Sequence, residues 1–236
     1  GSITYNVEDD TVKDVVESSE NAIRKLPYST PEYTVEDGET LLETNEGPMP
    51  IEVFGKHNLS NLAGAKWICQ NMGVDEEDFY EAIATFKGAS KRLEKIAEGA
   101  TSIAYKDFAH SPSKVAATTR AVKEQYPNRK LAACLELHTY SSFNPEFLKE
   151  YKGALDAADE AVIFFLPESV AIKKLEAVTA DQISEAFQRN DLKIFTDANS
   201  FHDYLETQSY KDTTLLLMSS GNYGGFDLNK LHGLLS

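Results

Sequence analysis

The chain contains 236 residues, of which 42% are hydrophobic and 26% charged, and it carries a formal net charge of −15. This length fits one large domain or two modest ones, and the composition is typical of a soluble globular protein. The acidic excess argues against a nucleic-acid partner, because phosphate backbones bind clustered Lys and Arg. No apolar stretch approaches the roughly 18 residues of a membrane helix, which argues against a membrane partner.

The charge still allows a small anionic ligand, because backbone N–H groups and a few basic side chains can hold one. Cys69 and Cys134 each lie inside an apolar run, which favours a role as small buried hydrophobes. They form neither a disulfide framework nor a CxxC motif, so the sequence predicts a reducing, cytoplasmic location.

Residues 3–54 contain short strand-like segments, PEYTV, ETLLET and PIEVF, separated by Gly, Pro and acidic turns. They lack a core-sized set of apolar periods, which indicates the end of a larger unit. From Asn58 the apolar residues follow helical spacing up to Gly73, a typical residue just beyond a helix end. A second helix is predicted after Asp75, a good N-cap residue, and runs to Gly88.

Beyond Gly99, near-continuous apolar runs alternate with helical periods. Runs such as AVIFFL and TTLLLM are typical of strands covered by helices on both faces. Ser111-Pro112, Asn144-Pro145 and Thr179 mark helix starts. The predicted fold class is therefore α/β, with a doubly wound, mostly parallel sheet. The predicted strands are 101–107, 130–137, 160–166, 192–196 and 213–218, and the predicted helices are 112–126, 145–158, 180–189, 199–207 and 228–235.

Three polar segments follow predicted strands, namely DFAHSP (107–112), ELHTYSS (136–142) and SSGNYGGFD (219–227). In doubly wound sheets, ligands bind outside the carboxyl ends of the strands. One sheet edge is therefore predicted to collect these residues together with the Gly-rich loop: Asp107, His110, Glu136, His138 and Ser220.

Three of these residues and the Gly-rich loop also have a purely structural explanation. Asp107 can end a strand, and His110 can be a satisfied loop histidine. His138 can belong to the end of its strand, and the glycines around Gly221 suit positive φ with or without a ligand.

Two further sites are equally open at this point. Lys91 and Arg92, between the two candidate domains, can be a solvated pair. His57, Asn58 and Asn61 can cap their helix, but their spacing also places amides on one face, where a planar base can be read.

Four motifs in register resemble the Mur ligase family over nearly the whole chain. GKHNLSNLAGA resembles the helix that closes the family's central ATPase domain, and FKGASKRLE is similar to the segment that leads into the C-terminal domain. KDFAHSPSK resembles the family's D-D-Y/F-A-H-H-P-T, and LLLMSSGNYGGFDLNKL resembles its closing M-S-N-G-x-F-G-G-I-H-x-K-L. The resemblance implies that 1–86 is the C-terminal remnant of the P-loop ATPase domain and that 87–236 is the Rossmann-like C-terminal domain.

The resemblance also implies a chemistry: an ATP- and Mg²⁺-dependent ligase of peptidoglycan metabolism that joins UDP-N-acetylmuramate to an amine through an acyl phosphate. DFAH and MSSGNYGG look most like the branch that adds the recycled peptide L-Ala-γ-D-Glu-meso-diaminopimelate. The branch that adds L-alanine is the near alternative. A non-catalytic nucleotide-binding module is a second alternative, which the same fold supports, and folate polyglutamylation is a third.

The same resemblance assigns roles to individual residues. The ATP-binding set comprises His57, Asn58 and Asn61 at the adenine, Arg92 at the phosphates, Asp107 at the ribose, and His110 beside the nucleotide or acyl phosphate. The substrate-binding set comprises His138, Ser220 and Gly221.

Several family features are missing from this sequence. The G-x-x-G-K-[ST] phosphate loop, the residues that hold magnesium and the muramate-binding domain are absent. We therefore expect a C-terminal piece of a longer ligase that cannot ligate alone and binds ATP weakly, if at all. Ser111 stands where the family usually has a second histidine, and LELHTYSSFN offers no arginine for a diaminopimelate carboxylate. The incoming amino acid or peptide and the oligomeric state therefore stay open.

Overall fold

The computed structural model describes residues 1–168 and 178–235. The chain divides into two compact units, Gly1–Lys87 and Gly88–Ser236. All the predicted strands and helices fall within the described ranges.

The first unit contains a two-stranded parallel sheet and a three-stranded antiparallel sheet. The predicted segments PEYTV and ETLLET are confirmed as β3 and β4, but only the first two residues of PIEVF are strand, at the end of β5. The strands β1 and β2 were missed because they are short and β2 contains Pro27, and α1 was missed with them. The elements are β1 (Ser2–Asn6), α1 (Asp10–Glu17), β2 (Arg24–Tyr28), β3 (Tyr33–Glu36), β4 (Glu39–Thr44) and β5 (Gly47–Ile51).

Two helices complete the first unit, α2 (Lys56–Asn71) and α3 (Glu76–Ala84), and both were predicted. They pack on a small apolar core. Asp75 occupies the N-cap position of α3, as predicted, although its side chain makes no capping hydrogen bond. The core residues are Leu42, Ile51, Leu59, Leu62 and Phe79.

The second unit is built on a six-stranded sheet of order β10-β9-β8-β11-β7-β6. All neighbouring strands are parallel except β6 and β7, which confirms the doubly wound, mostly parallel fold. The edge strand β6 was missed because its sequence, EKIAE, is short and charged, as edge strands often are. The strands are β6 (Glu94–Glu98), β7 (Ile103–Asp107), β8 (Lys130–Glu136), β9 (Glu160–Phe164), β10 (Lys193–Phe195) and β11 (Thr213–Met218).

Helices cover both faces of this sheet. On one face, alternate strand residues such as Cys134 and Leu217 pack with Phe201 of α7 and Leu231 of α8. Helix α4 packs against β8 and β11. The helices of this unit are α4 (Pro112–Gln125), α5 (Pro145–Leu148), α6 (Ala180–Phe187), α7 (Ala198–Thr207) and α8 (Leu231–Leu234).

Two predicted helices are wrong in extent. The predicted helix 145–158 is the single turn α5, followed by a 3-10 turn at Lys149–Tyr151 and by non-helical turns. Gly153 has a φ of 72°, which a right-handed helix cannot contain. The predicted helix 228–235 is a 3-10 turn, Leu228–Lys230, that leads into α8.

The predicted helix caps differ in quality. Asn144 accepts hydrogen bonds from two backbone N–H groups, and Thr179 forms a complete capping box with Gln182. Ser111 occupies its N-cap position without a side-chain hydrogen bond. Within the described part of the chain, no helix has the length and apolar character needed to cross a membrane.

Candidate functional site at the carboxyl edge of the sheet

The parallel register brings three strand ends together. Met218 of β11 pairs with Asp107 of β7 on one side and with Leu135 of β8 on the other. The loops that follow these strands therefore begin side by side, at the edge where doubly wound sheets bind ligands. These loops carry the residues expected there, which are His110, Glu136, His138, Ser220 and Gly221.

Asp107 is the centre of a buried hydrogen-bond network, and its residue is only 5% exposed. Its Oδ2 accepts from the backbone N–H of Leu93 at 2.7 Å, and its Oδ1 accepts from the backbone N–H of Ala109 at 2.6 Å. The Asp107 backbone oxygen accepts from the N–H of Ser219 at 3.0 Å. Asp107 thus ties together the segment before β6 and the loops after β7 and β11. Its predicted contact with a ribose stays a prediction.

Arg92 is held by this network through its neighbours. Lys91 and Leu93 both have positive φ, 60° and 46°, so the backbone turns sharply around Arg92. The Lys91 carbonyl accepts from the N–H of Phe108 at 2.9 Å. The exposed Arg92 guanidinium lies 5.6 Å from the centre of the Phe108 ring. No described residue forms an ion pair with Arg92, so its charge is available to an anion.

His110 is half-buried beside the same ring. Its Nδ1 lies 2.8 Å from the Phe108 carbonyl oxygen, and its ring meets that of Phe108 edge-on at 5.2 Å. A carbonyl oxygen can only accept, so Nδ1 carries the proton of this hydrogen bond. In the neutral ring Nε2 is then the acceptor nitrogen, ready to take a proton or a hydrogen bond. The Tyr151 hydroxyl fixes the His110 backbone by donating to its carbonyl oxygen.

A second buried acid, Glu136, lies at the end of β8 and is 4% exposed. Its carboxylate accepts hydrogen bonds from the Ser219 hydroxyl and, at 2.9 Å, from the backbone N–H of Tyr223. The Tyr223 side chain is 1% exposed, and burial raises the pKa of its phenol well above the usual value, helped by the nearby Glu136 charge. The phenol is therefore a neutral donor that has no hydrogen-bond partner among the described residues.

The predicted substrate-binding residues occupy two of these loops. Ser220 directly follows the Ser219 that binds Glu136, and its Oγ is buried with no hydrogen-bond partner in the described part of the structure. A buried hydroxyl without a partner is costly, which is consistent with a ligand group that completes it. His138 is half-buried two residues after Glu136.

The predicted adenine-binding residues lie in the first unit, on the first two turns of α2. The Asn58 side chain donates through Nδ2 to the Phe54 carbonyl at 2.9 Å. Its amide oxygen, Oδ1, is not used in this hydrogen bond. Asn61 is exposed and His57 is half-buried. Gly55, just before the helix, has a φ of 87°, which explains the glycine there.

Metal binding has no support among the described residues. No group of three or more His, Cys, Asp or Glu side chains in this part of the structure can hold a metal ion. That the magnesium ligands lie mostly outside this chain stays a prediction.

The bonds from Glu136 to Ser219 and Tyr223 were missed in the sequence. The available signal was an acid directly after the apolar run LAACL, because a charged residue at a buried strand end needs partners. Its partners lie 83 and 87 residues away, and only the sheet order brings them close.

The fold and this edge define a doubly wound α/β protein that presents polar loops at the carboxyl ends of its strands. A family model described as Mur ligase, glutamate ligase domain, matches residues 91–221, which is more than half of the chain. The chain belongs to the Mur ligase family.

Curated relatives support the same family. The chain is 28% identical over 169 residues to the UDP-N-acetylmuramate–L-alanine ligase of Desulfitobacterium hafniense, covering 72% of this chain and 36% of that protein. It is 26% identical over 235 residues to the enzyme of the same name from Persephonella marina, covering 94% and 50%. The chain thus spans about a third to a half of the length of these relatives.

Solved structures show the same fold. The murein peptide ligase from Psychrobacter arcticus matches with a TM-score of 0.62 at 17% identity, covering 100% of this chain and 52% of that one. MurF from Acinetobacter baumannii matches with a TM-score of 0.70 at 17% identity, covering 100% and 51%.

Proposed function

We propose that this chain is the C-terminal part of an ATP-dependent ligase that joins a carboxyl group of UDP-N-acetylmuramate to an incoming amine. The observation that carries the proposal is the carboxyl edge of the six-stranded sheet. There Asp107 ties the backbone beside Arg92 to the loop of His110 and to the start of the loop that carries Ser220.

Amide formation needs an activated carboxyl group, because an amine and an unactivated carboxylic acid only exchange a proton and form a salt. The carboxylate takes the terminal phosphoryl group of ATP with release of ADP, and the amine then displaces phosphate from the acyl phosphate and loses a proton. The protein's part is to position the reactants and to neutralise phosphate charge.

Arg92 fits the phosphate role. Its guanidinium is exposed, has no ion pair with a described residue and stands on a backbone turn held by Asp107. A fixed, always charged guanidinium suits binding to phosphate oxygens. Nδ1 of His110 is already bonded to Phe108, so Nε2 is the nitrogen left for a ligand: in the neutral ring it accepts from a donor group of the nucleotide, and when the ring is protonated it donates to a phosphate oxygen.

We assign the adenine contact to Asn58 and Asn61 and the ribose contact to Asp107. Asn58 keeps an amide oxygen that can accept from an adenine amine, and Asn61 is exposed on the next turn. Asp107 already accepts from backbone N–H groups through both carboxylate oxygens, so a ribose hydroxyl would share these acceptors.

The incoming amine is a choice between two candidates. The two curated relatives described above are named as L-alanine ligases, which favours L-alanine over the recycled peptide that the motifs predicted. The absence of an arginine in LELHTYSSFN also favours a small amino acid, because nothing there offers a bidentate grip on a second carboxylate. The recycled peptide is the second candidate.

The test is phosphate release by the full-length protein with UDP-N-acetylmuramate and ATP, offering L-alanine and the peptide L-Ala-γ-D-Glu-meso-diaminopimelate separately. We expect release with L-alanine. Release only with the peptide would select the second candidate, and release with neither would contradict the ligase proposal in favour of a nucleotide-binding module. The 236-residue chain alone should show no turnover and no micromolar ATP binding by calorimetry.

A variant pair sharpens this assay. Arg92→Ala should lower kcat/KM about 100-fold if the guanidinium neutralises phosphate charge. The matched control is Arg120→Ala, an exposed arginine on α4 whose Nε donates to the Ala116 carbonyl of its own helix. Equal effects of the two substitutions would contradict the role of Arg92.

A further inference from the structure

The loop after β11 has an unusual backbone. Tyr223, Gly224 and Gly225 have φ values of 56°, 65° and 84°, so three consecutive residues lie in the left-handed region. Tyrosine rarely adopts this conformation, because its Cβ crowds the backbone. Such a conformation persists only where the surrounding structure holds it.

Glu136, at the end of the neighbouring strand β8, stabilises this loop conformation by hydrogen bonds. Its Oε2 accepts from the Tyr223 N–H at 2.9 Å, directly at the strained residue, and from the Ser219 hydroxyl at the start of the loop. The Ser219 Oγ in turn accepts from the Gly221 N–H at 2.6 Å. One carboxylate therefore fixes the loop at its start, and at its strained end.

The close approach of the Glu136 carboxylate to the loop also explains why residue 221 is a glycine. A Cβ atom on Gly221 would lie 2.7 Å from Oε2 and 3.0 Å from Oε1 of Glu136, closer than non-bonded atoms approach. Gly221 has no positive φ, so the need for glycine at this position comes from the Glu136 carboxylate and not from the backbone angle.

Ser220 lies between Ser219 and Tyr223, the two residues that donate hydrogen bonds to Glu136. Its Oγ is buried and has no hydrogen-bond partner among the described residues, and the loop gives it little freedom to turn away. A hydroxyl held in this way is preorganised for a group that arrives with a donor or an acceptor.

We propose that Glu136 is a positioning residue: it holds the loop 219–225 in one conformation, so that Ser220 is presented to the incoming amine substrate. The effect on the loop stands on the hydrogen bonds alone. The effect on catalysis rests on the proposed ligase function.

The first test measures the loop in the 236-residue chain by amide hydrogen exchange. Glu136→Ala and Glu136→Asp should raise the exchange rates of the Gly221 and Tyr223 amides at least tenfold, while the amides of β7 and β9 stay unchanged. Glu136→Gln should have a smaller effect, because its amide oxygen can still accept from Tyr223. The control is Glu146→Ala, an exposed acid paired only with Lys149 in the described structure. Unchanged loop exchange in Glu136→Ala would overturn the proposal.

The second test is a double-substitution cycle, which also covers the case in which Glu136→Ala folds poorly. Gly221→Ala alone should raise loop exchange at least tenfold, because its methyl group meets the carboxylate. In the background of Glu136→Asp, whose shorter side chain withdraws the carboxylate, the same substitution should change exchange less than threefold. Additive effects would show that the two residues do not interact, and would contradict the proposal.

The third test uses the full-length ligase. Glu136→Asp should raise KM for the amine substrate about tenfold and Glu136→Gln less, while both leave KM for ATP and the pH profile of kcat unchanged. A lost limb of the pH profile with unchanged loop exchange would instead make Glu136 a proton-transfer group and overturn the positioning role. If the unsubstituted protein shows no ligation at all, the proposed function fails, whereas the exchange results still decide whether Glu136 holds the loop.

Discussion

The two ends of the six-stranded sheet use acidic residues in opposite ways. At the amino end, Glu160 of β9 binds the ammonium groups of Lys130 and Lys193 and the hydroxyl of Tyr204. At the carboxyl end, Asp107 and Glu136 accept from backbone N–H groups of neighbouring loops. The charge of Glu160 is thus neutralised by side chains, whereas the charges of Asp107 and Glu136 are used to hold backbone.

This difference decides which end of the sheet has a basic side chain to offer a ligand. The lysines at the amino end are committed to Glu160, so they have little to offer a ligand. At the carboxyl end the acids are satisfied by backbone donors, and Arg92 keeps its charge without an ion pair to any described residue. Three predictions test this comparison, ordered by the size of the expected effect.

The largest effect is expected for Asp107→Ala. The substitution leaves the buried N–H groups of Leu93 and Ala109 without their acceptor, and each unsatisfied buried donor costs about 1–3 kcal/mol. We expect the free energy of unfolding to fall by about 3 kcal/mol, measured by urea denaturation. The control is Asp203→Ala on the exposed side of α7, which should change it by less than about 0.5 kcal/mol. A loss below about 1 kcal/mol for Asp107→Ala would mean that its hydrogen bonds do not hold the edge together.

A smaller, pH-dependent effect is expected at the amino end. Burial raises the pKa of the Glu160 carboxyl, but hydrogen bonds from Lys130, Lys193 and Tyr204 outweigh it and bring the pKa to about 2, from 4.5. A depressed folded-state pKa means that the stabilisation is fully present above pH 4.5 and is lost as the pH falls through 2. Glu160→Gln should therefore lower the free energy of unfolding by about 2 kcal/mol at pH 7, allowing for solvent around the lysines.

The measurement is denaturant unfolding of both proteins between pH 7 and pH 2. The difference between them should shrink from pH 4.5 downward. Glu206→Gln, which removes an exposed pair with Lys230, is the control and should cost no more than about 0.5 kcal/mol at any pH. A difference that does not change with pH would contradict the assignment.

The smallest effect concerns two buried hydroxyls that lack hydrogen-bond partners among the described residues, Thr214 near the start of β11 and Ser220 after its end. Thr214→Val should raise the free energy of unfolding by up to about 1 kcal/mol, because it removes an unsatisfied polar group at nearly constant volume. Ser220→Ala should likewise not destabilise the protein.

The two substitutions should differ in the ligase assay. Thr214→Val should leave kcat/KM unchanged, whereas Ser220→Ala should lower it roughly tenfold if the hydroxyl meets the substrate. Similar kinetics for the two variants would remove the distinction between the two ends of the sheet.

Much of the second unit is predictable from local patterns. The apolar runs that became β8, β9 and β11 are long enough to need helices on both faces, and this alone predicts a doubly wound sheet. Polar residues at the ends of β7, β8 and β11 then fall at the carboxyl edge, which is why the neighbourhood of Asp107 and His110 was found.

The errors arise where neighbours or single backbone angles decide. The predicted helix 145–158 has helical spacing, but Gly153 adopts a φ of 72° and ends any helix there. The charged strand β6 forms only because β7 offers it an edge. The local signals are weak: a single glycine inside a helical pattern, and a short charged segment of the kind that edge strands often have.

The sequence by itself determined the fold class, the Mur ligase resemblance and the residues that line the sheet edge, because periodicity and short motifs are local properties of a chain. The tertiary structure alone decided what Asp107 and Glu136 do. The partners of Glu136, Ser219 and Tyr223, lie more than 80 residues away along the chain. A carboxylate at a buried strand end binds the donors that the order of the strands places beside it.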